Sequence, residues 1–84
     1  MDEKEIRAKV KKVFLDVFGI TEDRFGFEKK QDDFEAWDSL AHMQLVSGVE
    51  AAFGLQLGLE EIVDIQAPEG FVKIVEKKLS RGLE

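Results

Sequence analysis

The sequence has no cysteine and no tyrosine, and it contains one histidine, one tryptophan and one proline. Without cysteine neither a disulfide framework nor a thiolate metal site can form, so any thiol needed for function must be supplied from outside the chain. No apolar run reaches membrane-spanning length and the acidic N-terminus is unlike a signal peptide, so a soluble cytoplasmic protein without a membrane span is expected. Lysine and arginine are absent from residues 31 to 72, which hold nine acids: Asp32, Asp33, Glu35, Asp38, Glu50, Glu60, Glu61, Asp64 and Glu69. With a net charge of −6, this distribution argues against a nucleic-acid partner, whose phosphates require basic side chains. A patch of one sign instead steers basic protein surfaces and speeds encounter more than it tightens a complex.

A hydrophobic share of 44% with seven phenylalanines supplies enough large apolar surface for a folded core in a chain of 84 residues, which is too short for a second core. A single monomeric domain over residues 1 to 84 is expected, and the terminal Leu83-Glu84 pair carries no weight in that expectation.

Helical periodicity organises most of the chain. Ile6, Val10, Val13, Phe14, Val17 and Phe18 share one face opposite charged residues, and Gly19 supplies a stop, predicting a helix over about residues 3 to 18. Residues 19 to 38 lack a sustained period and read as a long loop pinned to the core by Phe25, Phe27 and Phe34; loops of this length are usually functional or contain short turns. A second helix is predicted from about Ser39 to Phe53, ending at Gly54, with His42, Leu45, Val46, Val49 and Phe53 on its inward arc. Gly58 and residues 59 to 65 read as a turn and a short third helix. Pro68 suits the first turn of a last helix with Phe71, Ile74, Val75 and Leu79 on one face. The expected fold is all-α: a small up-down bundle of three main helices and one short one, with a long connection between the first two.

The most informative residue is Ser39, in the run Trp37-Asp38-Ser39-Leu40-Ala41-His42-Met43-Gln44-Leu45-Val46. An Asp-Ser pair closing a polar loop before an apolar helix is a common N-cap in any protein. It also sets a hydroxyl at a helix mouth, where free amides and a partial positive charge suit a phosphorylated group. Leu40, Met43 and Ser47 form an outer row of the same helix, and spacing alone leaves two uses for the apolar pair: covering the long loop, or meeting a partner. Gly48 within the helix costs about 1 kcal/mol relative to alanine, which close packing or room for a bound chain would each explain.

The Asp38-Ser39-Leu40 signature resembles the attachment site of acyl carrier proteins, and the resemblance extends from the first helix through Glu50-Ala51-Ala52-Phe53-Gly54 to the final amphipathic helix. It implies that Ser39 receives a 4'-phosphopantetheine arm, derived from coenzyme A by a phosphopantetheinyl transferase, on which acyl groups are held as thioesters. It also implies a non-catalytic carrier of a fatty-acid, polyketide or other specialised pathway, serving acyl-loading and acyl-transferring enzymes with basic docking surfaces. The docking residues it suggests are Asp38, Leu40, Met43, Gln44, Ser47, Glu60, Glu61 and Asp64. Housekeeping fatty-acid carriers place acids along the outward face of the second helix, where this chain has Ala41, Gln44 and Ala51. That departure, and Trp37 before the aspartate, favour a specialised member. Aminoacyl or peptidyl carriers, D-alanyl carriers among them, often have paired glycines where Ala36-Trp37 stands, so that cargo is the rival within the family. An unmodified acidic adaptor domain is the rival outside it.

Other chemistry is less well supported. His42, one turn beyond Ser39, lacks the third group and oxyanion site of a triad; it is expected to be a packed or half-buried helix residue, with lining of the bundle mouth near the attached arm as the second reading. The acids from Asp32 onward lack the ligand spacing and turn glycine of a calcium loop.

Overall fold

The computed structural model describes residues 2–82; Met1, Leu83 and Glu84 lie outside the described residues. Four helices follow one another: α1 (Glu3–Phe18), α2 (Ser39–Phe53), α3 (Leu59–Asp64) and α4 (Pro68–Gly82), with short 3-10 turns at Glu22–Arg24 and Gln31–Asp33 inside the long α1–α2 connection. No strand occurs among the described residues. The all-helical bundle and the helix positions agree with the periodicity, and no described helix is long and apolar enough to cross a membrane.

Local chemistry sets the helix ends. The Asp2 carboxylate accepts from the Glu5 amide at 2.9 Å and starts α1, satisfying one of the amides that a helix start leaves without an acceptor. Gly19 and Gly54 terminate α1 and α2 at φ of 63° and 65°, a left-handed conformation that costs a glycine little. Their amides close back on Leu15 and Glu50 carbonyls, each at 2.8 Å.

The core is aromatic at its centre. Phe14 is fully buried, and its ring meets Trp37 at 5.2 Å, Phe25 at 5.5 Å, Phe18 at 5.6 Å and Phe71 at 5.7 Å, all edge-on. Edge-to-face pairs of this kind add to what area burial alone contributes. The long connection is thereby anchored: Phe34 and Trp37 are buried, while Phe25 and Phe27 pack partly buried against the cluster. Ile6, Val10, Val13, Leu45, Val46, Val49, Leu57, Ile65, Phe71, Val72 and Val75 are also buried in this core. Gly48 allows the close approach of α1 and α2, because a Cβ there would lie 2.7 Å from Val13 Cγ1; close packing explains this glycine.

Two details depart from the sequence expectations. Ala41 is buried, whereas the comparison with other carriers set it on the outward face. It precedes Leu45 by one turn and so lies on the same helical face as Leu45 and Val49. Val72, absent from the predicted apolar face of α4, is buried too.

Arg7 joins three segments. Its guanidinium grips Glu69 of α4 through two 2.8 Å bonds and Glu3 through bonds of 3.1 and 3.0 Å, and lies over the Phe27 ring at 5.0 Å. Hydrogen bonding to Glu69 first, and to Glu3 second, raises its pKa above the ordinary arginine value.

Candidate functional site

Ser39 is the first residue of α2 and its side chain is exposed. The preceding Asp38 is the N-cap: its carboxylate accepts from the Ala41 amide at 2.8 Å, and its carbonyl accepts from the His42 amide at 2.8 Å. Capping is therefore performed by Asp38 and leaves the serine hydroxyl free of that task. The amides of the first turn and the helix dipole favour negative charge at this point, by about 0.3 to 1 kcal/mol at an exposed site.

The position of Ser39 is fixed from behind by Trp37. Only 5% of that residue is exposed, and its indole N–H donates to His42 Nδ1 at 2.9 Å. The two ring planes are nearly parallel, with an interplanar angle of 20° and centroids 5.8 Å apart. Gln31 adds a bond from its side-chain amide to the Trp37 carbonyl at 3.3 Å, while its backbone amide donates to the Gln66 carbonyl at 2.7 Å. The polar loop thus reaches Ser39 through a buried aromatic anchor two residues earlier.

An indole nitrogen can only donate, so His42 Nδ1 must be the bare nitrogen and Nε2 must carry the proton. Nε2 then donates to the Ile62 carbonyl of α3 at 2.8 Å. His42 is half-buried with both ring nitrogens engaged, a packed helix residue as its sequence context suggested.

The residues suggested for docking divide into two groups. Leu40 is 70% exposed and Met43 50%; Gln44, Ser47, Glu60 and Asp64 are also exposed. Asp38 and Glu61 have internal tasks. The Glu61 carboxylate accepts from the Gly58 amide at 2.6 Å and pairs with Lys78 of α4 at 3.0 Å. These contacts, the Gly58 bond first, lower its pKa below the usual carboxylate value. Glu50 is likewise occupied, accepting from the Leu57 amide at 2.9 Å.

Two exposed residues went unnoticed in the sequence: Leu59 at 77% and Val63 at 66%. They are four apart, on one side of α3, while the intervening Ile62 packs partly buried against the core. The signal was present in that spacing, but a helix of six residues is too short for periodicity to say which side faces in. Met43 follows His42 and Val63 follows Ile62, so exposed apolar residues flank the hydrogen bond that joins α2 to α3.

The fold is thus a small helical bundle whose long first connection delivers an exposed serine to the mouth of its second helix. No protein-family model matches the chain. It is 31% identical over 81 residues to an acyl carrier protein of Petrotoga mobilis, an alignment that covers 95% of this chain and 94% of the relative. The chain belongs to the acyl carrier protein family.

Proposed function

We propose that this protein is a non-catalytic carrier whose Ser39 hydroxyl accepts a 4'-phosphopantetheine arm from coenzyme A through a phosphopantetheinyl transferase. The observation that carries the proposal is the exposed Ser39 hydroxyl at the start of α2, released from capping by its neighbour Asp38. The site suits the group: the phosphodiester would rest at the positive end of a helix, and the exposed side chain leaves the arm room to leave the surface. When attached, the arm supplies the thiol that a chain without cysteine cannot provide and holds acyl groups as thioesters.

The chain's own residues position and present. Asp38 orders the first turn, Trp37 anchors the loop, and Leu40, Met43, Gln44, Ser47, Glu60 and Asp64 offer a surface to acyl-loading and acyl-transferring enzymes, with Asp38 and Glu61 contributing charge at its edges. Leu59 and Val63 extend that surface onto α3. The absence of Lys and Arg from residues 31 to 72 suits partners with basic docking faces, which are steered in and released quickly. Tethering the cargo replaces free diffusion between enzymes with a high effective concentration.

A specialised pathway is favoured over housekeeping fatty-acid synthesis. Gln44 and Ala51 are exposed uncharged positions on α2, although buried Ala41 no longer contributes to that argument. In a competition assay, a housekeeping malonyl transacylase should load this chain less well than its own carrier, and equal loading would refute the specialisation.

Intact mass after incubation with coenzyme A, Mg²⁺ and a promiscuous transferase tests the central assignment. The wild-type chain should gain the mass of one arm and Ser39→Ala should gain nothing. A wild-type chain that stays unmodified, or an alanine variant that is modified equally, would overturn it.

A further inference from the structure

The Trp37–His42–Ile62 chain of hydrogen bonds points to a role for His42 that capping, packing and attachment chemistry do not require. α3 contains no buried residue and spans six residues, and the extensive helix contacts are those of α1 with α2 and with α4. Ile62 packs partly buried against the core; besides this contact and the flanking chain, two polar ties hold α3 among the described residues: Glu61 to Lys78 of α4 at 3.0 Å, and the Ile62 carbonyl to His42 Nε2 of α2 at 2.8 Å. The second tie is the one that reaches the serine's own helix. His42 lies on the first turn after Ser39, and its other nitrogen is held by Trp37, two residues before Ser39.

We infer that His42 is a positioning residue that latches α3 to the mouth of α2, so that the α3 part of the docking surface (Leu59, Glu60, Val63) is presented at a fixed place relative to Ser39. The latch requires one acceptor facing Trp37 and one donor facing Ile62, which neutral imidazole provides in the single tautomer that the bonds allow. Its partner class is any enzyme that must contact α3 and reach Ser39 in the same encounter, the transferase first among them; this consequence rests on the proposed carrier function, while the latch itself does not.

The test compares His42→Leu, His42→Gln and wild type as full chains. A glutamine carboxamide also offers one acceptor and one donor, at a similar separation, and should restore the latch. In His42→Leu, amide hydrogen exchange in α3 should quicken about tenfold, with α1 and α4 amides keeping their protection, and Trp37 emission should shift as the indole loses its acceptor. The KM for the transferase should rise about threefold with kcat held, because presentation is lost and chemistry is not. His42→Gln should return all three readouts toward wild type.

Unchanged α3 exchange in His42→Leu would overturn the latch. So would a glutamine variant that behaves like the leucine variant, including the case in which leucine loosens the whole bundle. Wild type that is never modified at Ser39 would remove the carrier function and leave the exchange and emission results to decide the latch.

Discussion

Val13 and Gly48 meet where α1 and α2 come closest: a Cβ added to Gly48 would stand 2.7 Å from Val13 Cγ1. Valine is stiff about χ1 and cannot swing away cheaply. Gly48→Ala should therefore destabilise the fold by about 1 kcal/mol, the cost of overpacking exceeding the gain in helix propensity. In a Val13→Ala background the same change should stabilise by up to about 1 kcal/mol. Urea denaturation of the four species in this cycle measures the coupling, and additive effects would show that the contact does not govern the choice of glycine.

Asp38 combines a cap with a charge, and two substitutions separate them. Asp38→Ala should cost about 1 kcal/mol in unfolding experiments. Asp38→Asn should keep most of the cap, since both side chains serve well at this position, yet lower the transferase's kcat/KM through loss of the carboxylate proposed to face a basic partner; an unchanged kcat/KM would remove that role. Ser39→Ala should leave stability within about 0.5 kcal/mol, because the observed cap bond comes from Asp38.

Glu61 confers a pH dependence of stability. Its pKa is lowered in the folded chain by the Gly58 amide and Lys78, so the unfolded chain takes up the proton first as pH falls. The stabilisation is complete above the ordinary glutamate value of roughly 4.3 and is lost as pH drops through the lowered folded value. Glu61→Gln should flatten the acid limb of a thermal-melting profile below about pH 4.3 and leave the slope near neutrality unchanged. An identical acid limb in both proteins would show that Glu61 does not contribute to it.

The exposed apolar residues of α2 and α3 offer a different readout. Leu40→Ser, Leu59→Ser and Val63→Ser should shift unfolding free energy by no more than about 0.5 kcal/mol, while raising the transferase's KM. Added salt should slow association for the wild-type chain, because the surrounding acids act over roughly a Debye length of about 10 Å at 0.1 M. Stability losses well beyond that bound would mean that these side chains cover the protein's own interior instead.

Phe14 is the residue on which the aromatic cluster converges. Phe14→Ala should cost about 3 to 5 kcal/mol, a large part of the total stability of a domain this small. Calorimetric melting would show it as a broad fall in Tm or as outright loss of the folded state.

Much of this protein is determined locally and could be read from sequence. The spans of α1 and α2 follow from apolar spacing closed by Gly19 and Gly54, and the mouth of α2 follows from Asp38 before an apolar run. Those signals lie within a turn or two of the residues they govern, so no knowledge of the rest of the fold is needed. Ser39 as a helix-mouth residue is legible for the same reason, whereas its candidacy as an attachment residue rests on the resemblance to acyl carrier proteins over most of the chain.

Other features required residues far apart in sequence to meet. The contact of Gly48 with Val13, the side of α3 that leaves Leu59 and Val63 exposed, and the bond from His42 to the Ile62 carbonyl all depend on where a second helix lies. Periodicity assigns a residue to a face but not that face to a neighbour, and a six-residue helix has too little period even for the first step. Packing of α1, α2 and α4 around Phe14 decided the rest, because only a filled core fixes which polar groups are left close enough to pair.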